Sequence, residues 1–191
     1  MHPRPPRRTT HAFGTPEDLL VYDRWGCSGR PVVLLHGLGY DRSMWWPTAA
    51  ELGDDITALA VDLPGHGQSA PRDHCGLDDL AQDLAMLVHG LDLRRAPILI
   101  AHAEAAYVAT RFAARYSTHR TITVGCAGSA RLDDVPEPYR QFAIPHQIPN
   151  LLDAYREWPA DALPRSTHPG AEHFPHLRDP AGFAALLHNL R

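Results

Sequence analysis

The chain has 191 residues, enough for one domain with a substantial core. A net charge of -4 gives no electrostatic case for nucleic acid or an anionic membrane as partner, and 44% hydrophobic with 21% charged residues is ordinary for a globular protein. All 18 basic residues are arginine, which excludes a lysine Schiff base from this chain.

Residues 1–12 read as a flexible tail, with Arg4, Arg7 and Arg8 set among prolines and no apolar stretch of the secretory type. Residues 13–191 read as a single domain. No apolar run is long enough to span a bilayer, so the expectation is a cytoplasmic protein. Leu19–Trp25 reads as a strand, followed by a turn at Gly26–Gly29. Pro31–Leu35 is a short apolar run of the buried parallel type, and Ser43–Leu52 fits a short helix. Ile56–Val61 is a second buried strand. Leu77–Leu91 carries Leu80, Leu84, Leu87, Val88 and Leu91 on one helical face. Pro97–Ala101 is a third buried strand, Ala103–Tyr116 a helix and Thr121–Val124 a fourth strand. Beyond it, Gln141–Ile144 reads as a short strand, Asn150–Trp158 as a helix, Pro164–Thr167 as a last strand and Pro180–Leu190 as a closing helix with proline at its start. Strands alternating with helices at this pace predict an α/β fold with a mostly parallel sheet. Function in such sheets gathers at the carboxyl ends of the strands, here after Leu35, Val61 and Ala101.

Cys27, Cys75 and Cys126 form neither a disulfide framework nor a metal pattern and are expected reduced and structural. The 13 histidines contain no H-x-x-x-H or H-E-x-x-H. Neither G-x-G-x-x-G after a strand nor G-x-x-x-x-G-K occurs, so no metal and no cofactor are expected.

Four motifs in order carry a resemblance. They are V-V-L-L-H-G at Val32–Gly37, D-L-P-G-H-G-Q-S at Asp62–Ser69, the strand-turn-helix around Ala103, and H-F-P-H-L-R-D-P at His173–Pro180. Together the chain resembles the α/β-hydrolase superfamily, which implies helices on both faces of the sheet. Only Ala127–Tyr139 is left where the family inserts a cap, so the cap is expected to be missing or minimal.

The resemblance implies an oxyanion hole from the amides of Leu38 and Glu104 and a general base at His173. The nucleophile elbow, normally G-x-S-x-G, reads Ala101-His102-Ala103-Glu104-Ala105. A methyl group has no lone pair and cannot form an acyl-enzyme, so Ala103 rules out ordinary serine hydrolysis. The acid expected near Pro145-His146-Gln147 is absent; Asp133 or Asp134, after the fourth strand, is a candidate substitute, against the reading of both as part of a solvated loop. His36 and His66 read as scaffold and His176 as packing or surface. Candidate pocket residues are His36, Gly37, Tyr40, Trp45, Tyr107 and His146, with Trp46 and Tyr139 beside them.

Three functions follow. The first is a non-covalent enzyme of lyase, cyclase, dehydratase or decarboxylase type, of the kind met in bacterial natural-product pathways. It would act on a small carbonyl-containing substrate, with His173, Glu104 and His102 as its acid–base groups. The second is a serine esterase or thioesterase carrying a Ser-to-Ala change at Ala103. The third is a pseudo-hydrolase that binds or scaffolds. Apolar surface left by an absent cap would favour a homodimer.

Overall fold

The computed structural model describes residues 7–53, 56–92, 95–126, 131–159, 164–168 and 172–189. Its centre is a six-stranded sheet in the order β1-β2-β4-β3-β5-β6. The strands are β1 Thr9–Phe13, β2 Leu20–Trp25, β3 Arg30–Leu35, β4 Ile56–Val61, β5 Ile98–His102 and β6 Arg120–Val124. β1 and β2 run antiparallel to their neighbours, whereas β4, β3, β5 and β6 are mutually parallel.

The near-continuous apolar runs of β3, β4 and β5 arise because both sheet faces are covered. Successive side chains point to opposite faces, so Val32 and Leu34 enter one core while Val33 and Leu35 enter the other. The first core is closed by Trp45, by Ala49 of α1 (Trp46–Ala50) and by Phe183 and Leu187 of α6 (Pro180–His188). The second is closed by Leu80, Leu84 and Leu87 of α2 (Leu77–Gly90) and by Val108 and Phe112 of α3 (Ala106–Arg115).

Several elements differ from the sequence reading. The expected tail already contains β1 over Thr9–Phe13, which pairs with β2 along its length. Thr10 donates to the buried Asp23 carboxylate at 2.7 Å, and the Arg8 guanidinium lies 3.7 Å over the Trp46 ring. The predicted helix Ser43–Leu52 is a 3₁₀ turn, Arg42–Trp45, followed by α1. Gln141–Ile144 is no strand; it falls largely within a 3₁₀ stretch, Glu137–Ala143. The helix expected over Asn150–Trp158 is one turn, α4 Leu151–Ala154, because Asn150 is left-handed at φ 58 and Tyr155 leaves the helical region.

Pro164–Thr167 forms no ladder either. It is clipped to Thr123 of β6: Thr123 Oγ1 donates to the Arg165 carbonyl at 2.8 Å, and the Thr167 amide donates to the Thr123 carbonyl at 3.1 Å. α5 (Pro175–Arg178) and α6 end the described chain. Where a cap would insert, the described residues 131–158 hold only 3₁₀ turns and α4. Among the described residues no helix is long and apolar enough to cross a membrane.

Candidate functional site: a filled elbow

β5 ends at His102 and the chain turns sharply into a 3₁₀ turn, Ala103–Ala105, before α3. Ala103 holds φ 49, a left-handed conformation that costs a non-glycine residue roughly 1–2 kcal/mol. It is 3% exposed, and Ala101 and Ala105 on either side are fully buried. Small residues there let the strand, the turn and the helix approach closely.

Opposite the turn, the loop after β3 brings Gly37 against the elbow. A Cβ on Gly37 would lie 2.8 Å from His102 Nδ1, 3.2 Å from the Ala103 Cβ and 3.2 Å from Glu104 Oε2. The Leu38 amide donates to Glu104 Oε2 at 3.2 Å. The residue after the nucleophile position thus lays its carboxylate on the very amide expected to stabilise an oxyanion.

His102 is fully buried. Its Nε2 lies 3.1 Å from the His173 carbonyl, which can only accept, so Nε2 carries the proton and Nδ1 is left without a described partner. Burial first, then the neighbouring His176 and His173, hold this imidazole well below its ordinary pKa. Buried and locked to the His173 backbone, His102 is an internal strut and not the acid–base group expected.

His173 is half-buried, edge-on to His102 at 4.6 Å and to Phe174 at 4.6 Å. Burial lowers its pKa, while the Glu104 charge and the Gly125 carbonyl pull it upward. Its Nδ1 is buried with no hydrogen-bond partner among the described residues, so no carboxylate orients the ring. Asp134 and Glu172 share with His173 a cavity of about 10 Å³, and Glu172 is paired with Arg178.

The other sequence-predicted residues scatter. Tyr40 belongs to the site, edge-on to His102 at 5.5 Å and to Phe174 at 5.8 Å. Trp45 lies behind it in the first core, 4.2 Å from the His176 ring. Trp46 donates to Asp23 at 2.7 Å, and Tyr139 packs against the first core. Tyr107 belongs to the opposite core, edge-on to Trp158 at 6.3 Å. His36 is no pocket residue: its Nε2 accepts from the Leu63 amide at 3.0 Å, and burial lowers its pKa to about 4. His66 holds the facing turn in the same way, accepting from the Gly39 amide at 3.1 Å, and burial lowers it to about 3.

His146 is exposed and forms a clasp. Its Nε2 meets Asp41 at 3.0 Å and its amide donates to the Gly39 carbonyl at 2.6 Å. The segment around it therefore crosses the loop that carries Leu38. A cavity of about 140 Å³ lies under this crossing, between Tyr40, Phe142 and His146. A larger one, about 460 Å³, lies between Pro64–Gly65 and Ile148–Leu151. Cys126, read as structural, sits beside the elbow with its Sγ 3.8 Å from the Ala103 carbonyl. Its placement follows from the pairing of His102 with Val124, two residues before it. Among the described residues no group of three or more His, Cys, Asp and Glu is placed to hold a metal ion.

A sequence profile of the alpha/beta hydrolase family matches residues 32–167, the stretch that contains the β3 loop, the elbow and the clasp. The chain belongs to this family.

Over 113 residues it is 34% identical to a pimeloyl-[acyl-carrier protein] methyl ester esterase of Vibrio cholerae, covering 59% of this chain and 42% of that protein. The same-named Vibrio atlanticus protein is 31% identical over 135 residues, 70% of this chain and 49% of its own. The chain thus spans less than half the length of these curated relatives. A thermophilic esterase from Thermogutta terrifontis superposes with a TM-score of 0.71 at 21% identity, covering 96% of this chain and 97% of that one. The Cif epoxide hydrolase of Acinetobacter nosocomialis gives 0.58 at 21% identity, covering 68% and 42%. These likenesses establish the alpha/beta hydrolase fold. The named relatives are esterases and an epoxide hydrolase, where the sequence reading favoured lyases and cyclases.

Proposed function

We propose that this alpha/beta hydrolase is catalytically silent as a hydrolase and serves as a binding or scaffolding module. One observation carries this reading: the Glu104 carboxylate accepts the Leu38 amide. An oxyanion hole works by aiming free donors at the place where negative charge develops. Here that donor already serves a resident carboxylate, and a substrate oxygen would have to displace a charge-assisted hydrogen bond worth about 1.5–3 kcal/mol. The methyl of Ala103 and the lack, among the described residues, of a carboxylate hydrogen-bonded to the His173 ring support the same reading.

The test uses the purified chain and an Ala103→Ser variant with p-nitrophenyl butyrate and a fluorophosphonate probe. We expect neither protein to show a burst or a covalent adduct. An adduct on the unaltered chain would overturn the proposal. A His173-dependent burst in Ala103→Ser would overturn it in favour of an esterase that lacks only its nucleophile.

A second reading keeps chemistry without a covalent step, with Glu104 and His173 moving a proton on a small carbonyl compound. It is favoured by the Glu104 charge acting on the His173 ring. Deuterium exchange next to the carbonyl of a β-keto ester separates the two. Exchange at the buffer rate supports the silent module, and exchange abolished in both His173→Gln and Glu104→Gln supports the enzyme.

A further inference from the structure

Three histidine rings meet behind the elbow. His102 lies edge-on to His173 at 4.6 Å and to His176 at 5.6 Å. His102 stacks on Phe174 at 5.3 Å, and His176 is held between Trp45 at 4.2 Å and Phe183 at 6.1 Å. His102 and His176 are fully buried. Four ring nitrogens of the trio are buried without a hydrogen-bond partner among the described residues: His102 Nδ1, His173 Nδ1 and both nitrogens of His176. Unpartnered buried polar atoms are rare, and four in one cluster call for an explanation beyond packing.

Among the described residues no carboxylate is hydrogen-bonded to the two fully buried rings, His102 and His176, whereas the half-buried His173 feels the Glu104 charge and shares a small cavity with Arg131, Asp134, Glu172 and Arg178. From the β3 side the trio faces His36 and Tyr40; from the elbow, Glu104, already engaged by Leu38. From the end of β6 it faces the Gly125 carbonyl, and from the Thr123 clip it faces His168. Cys126 also lies within reach of Glu104. α5, α6 and the turn before α1 contribute the aromatic and aliphatic walls Phe174, Leu177, Phe183 and Trp45.

Several contacts of the trio tie the segment His173–His188 to β5 and to the turn and helix around Trp45–Ala50. The His102 Nε2 bond runs to the His173 backbone, His176 packs on Trp45, and Thr48 Oγ1 donates to the His176 carbonyl at 2.8 Å.

We propose that the His102–His173–His176 cluster is an acid-operated latch that holds the segment His173–His188 on the elbow at neutral pH and releases it, before the sheet unfolds, as pH falls. The direction follows from the burial of the rings. Above about 6.5, the ordinary imidazole value, the rings are neutral whether the latch is closed or open, and pH has no grip on it. Below that value the opened rings bind protons that the closed ones refuse, so closure weakens steadily. His176, lowered by burial to about 3, goes on losing ground through the whole window between 6.5 and 3. At pH 5 each ring kept neutral shifts the balance toward the open form by about 30-fold, and His102 and His176 together by about 1,000-fold. His36 and His66 also resist protonation, yet each has a backbone amide on one ring nitrogen and they clamp turns of the sheet itself, so the protons they take up in acid favour unfolding of the whole fold and not release of this junction.

The test is hydrogen exchange, corrected for intrinsic rate, on the full chain from pH 7.5 to 4.5. We expect protection of 173–188 to fall near pH 5.5 while β3, β4 and β5 stay protected. His176→Phe fills the same slot between Trp45 and Phe183 without a titrating group, and should move the release to lower pH with about one fewer proton taken up. An exposed control, His74→Gln, should leave it unchanged. Loss of protection in all elements at one pH, or a release unmoved in His176→Phe, would overturn the proposal. Should that variant fail to fold, ring-nitrogen NMR of the unaltered chain decides. The His102 and His176 rings must stay neutral until the segment lets go, and either ring titrating near 6.5 in the closed form would refute the latch.

Discussion

Gly37→Ala probes how tightly the elbow is filled. Gly37 is not one of the positive-φ glycines, so alanine meets no backbone strain there and the whole effect is steric. The new methyl would fall short of ordinary contact by about 0.6 Å at His102 Nδ1 and by about 0.2 Å at both Ala103 Cβ and Glu104 Oε2. None of the three can retreat cheaply. His102 is tied to the His173 carbonyl at 3.1 Å and stacked on Phe174; Ala103 is fixed by the left-handed turn; and Glu104 is held by the Leu38 amide. Forcing a methyl into such a site costs about 1–3 kcal/mol, and with three neighbours affected we expect about 2. Urea unfolding at pH 7.5 followed by tryptophan fluorescence measures it, provided the m-value is unchanged. Gly90→Ala is the internal reference, because a Cβ there meets nothing within 4 Å. At the end of a helix it should be neutral or stabilise by up to about 1 kcal/mol. A Gly37→Ala protein within about 0.5 kcal/mol of the unaltered chain would refute the argument that these side chains close over the loop.

Two further substitutions test other parts of the site. At Ala103, glycine should stay within about 1 kcal/mol of the unaltered chain, since relief of the left-handed turn offsets the lost methyl, whereas valine should cost about 3 kcal/mol in thermal or urea unfolding. Equal stability of the two variants would mean that the turn carries no strain. Asp62 is fully buried and accepts from the Arg42 amide at 2.7 Å and the Gln68 amide at 2.8 Å, besides its ion pair with the Arg42 guanidinium. Breaking one side of a buried pair leaves a charge poorly compensated, so Asp62→Asn should lower the unfolding free energy by about 3–5 kcal/mol. A loss below about 1 kcal/mol would show that the pairing with Asp23, which also faces Arg42, suffices.

The parallel heart of the fold was legible because buried strands announce themselves. Val32–Leu35, Ile56–Val61 and Ile98–Ala101 are apolar on both faces, and turns follow each at the expected places. β1 was missed because an edge strand needs only polar, exposed residues, and T-T-H-A-F carries no alternation. The stretch after β6 was misread because its conformation is set by distant partners, such as Arg165–Thr167 hanging on Thr123 some 40 positions earlier. In the site, the alanine at the turn after β5 could be read directly from the sequence. The engagement of Leu38 by Glu104 and of Gly39 by His146 could not, because each joins residues more than 60 positions apart. His176 illustrates the same limit: a histidine followed by Leu and Arg in a loop gives no sign that its ring will be wedged between Trp45 and Phe183.

The bend at Ala103 persists without any hydroxyl to present. Its geometry therefore comes from the way a central strand must hand over to a helix crossing back over the sheet, and chemistry is only a tenant of that corner. Whatever side chain is installed at this position will be held out on the same rigid pivot, facing Gly37 and the ring of His102. On the proposed reading, installing a reaction in this scaffold calls for clearing the neighbours, Glu104 first, before exchanging the residue at the pivot.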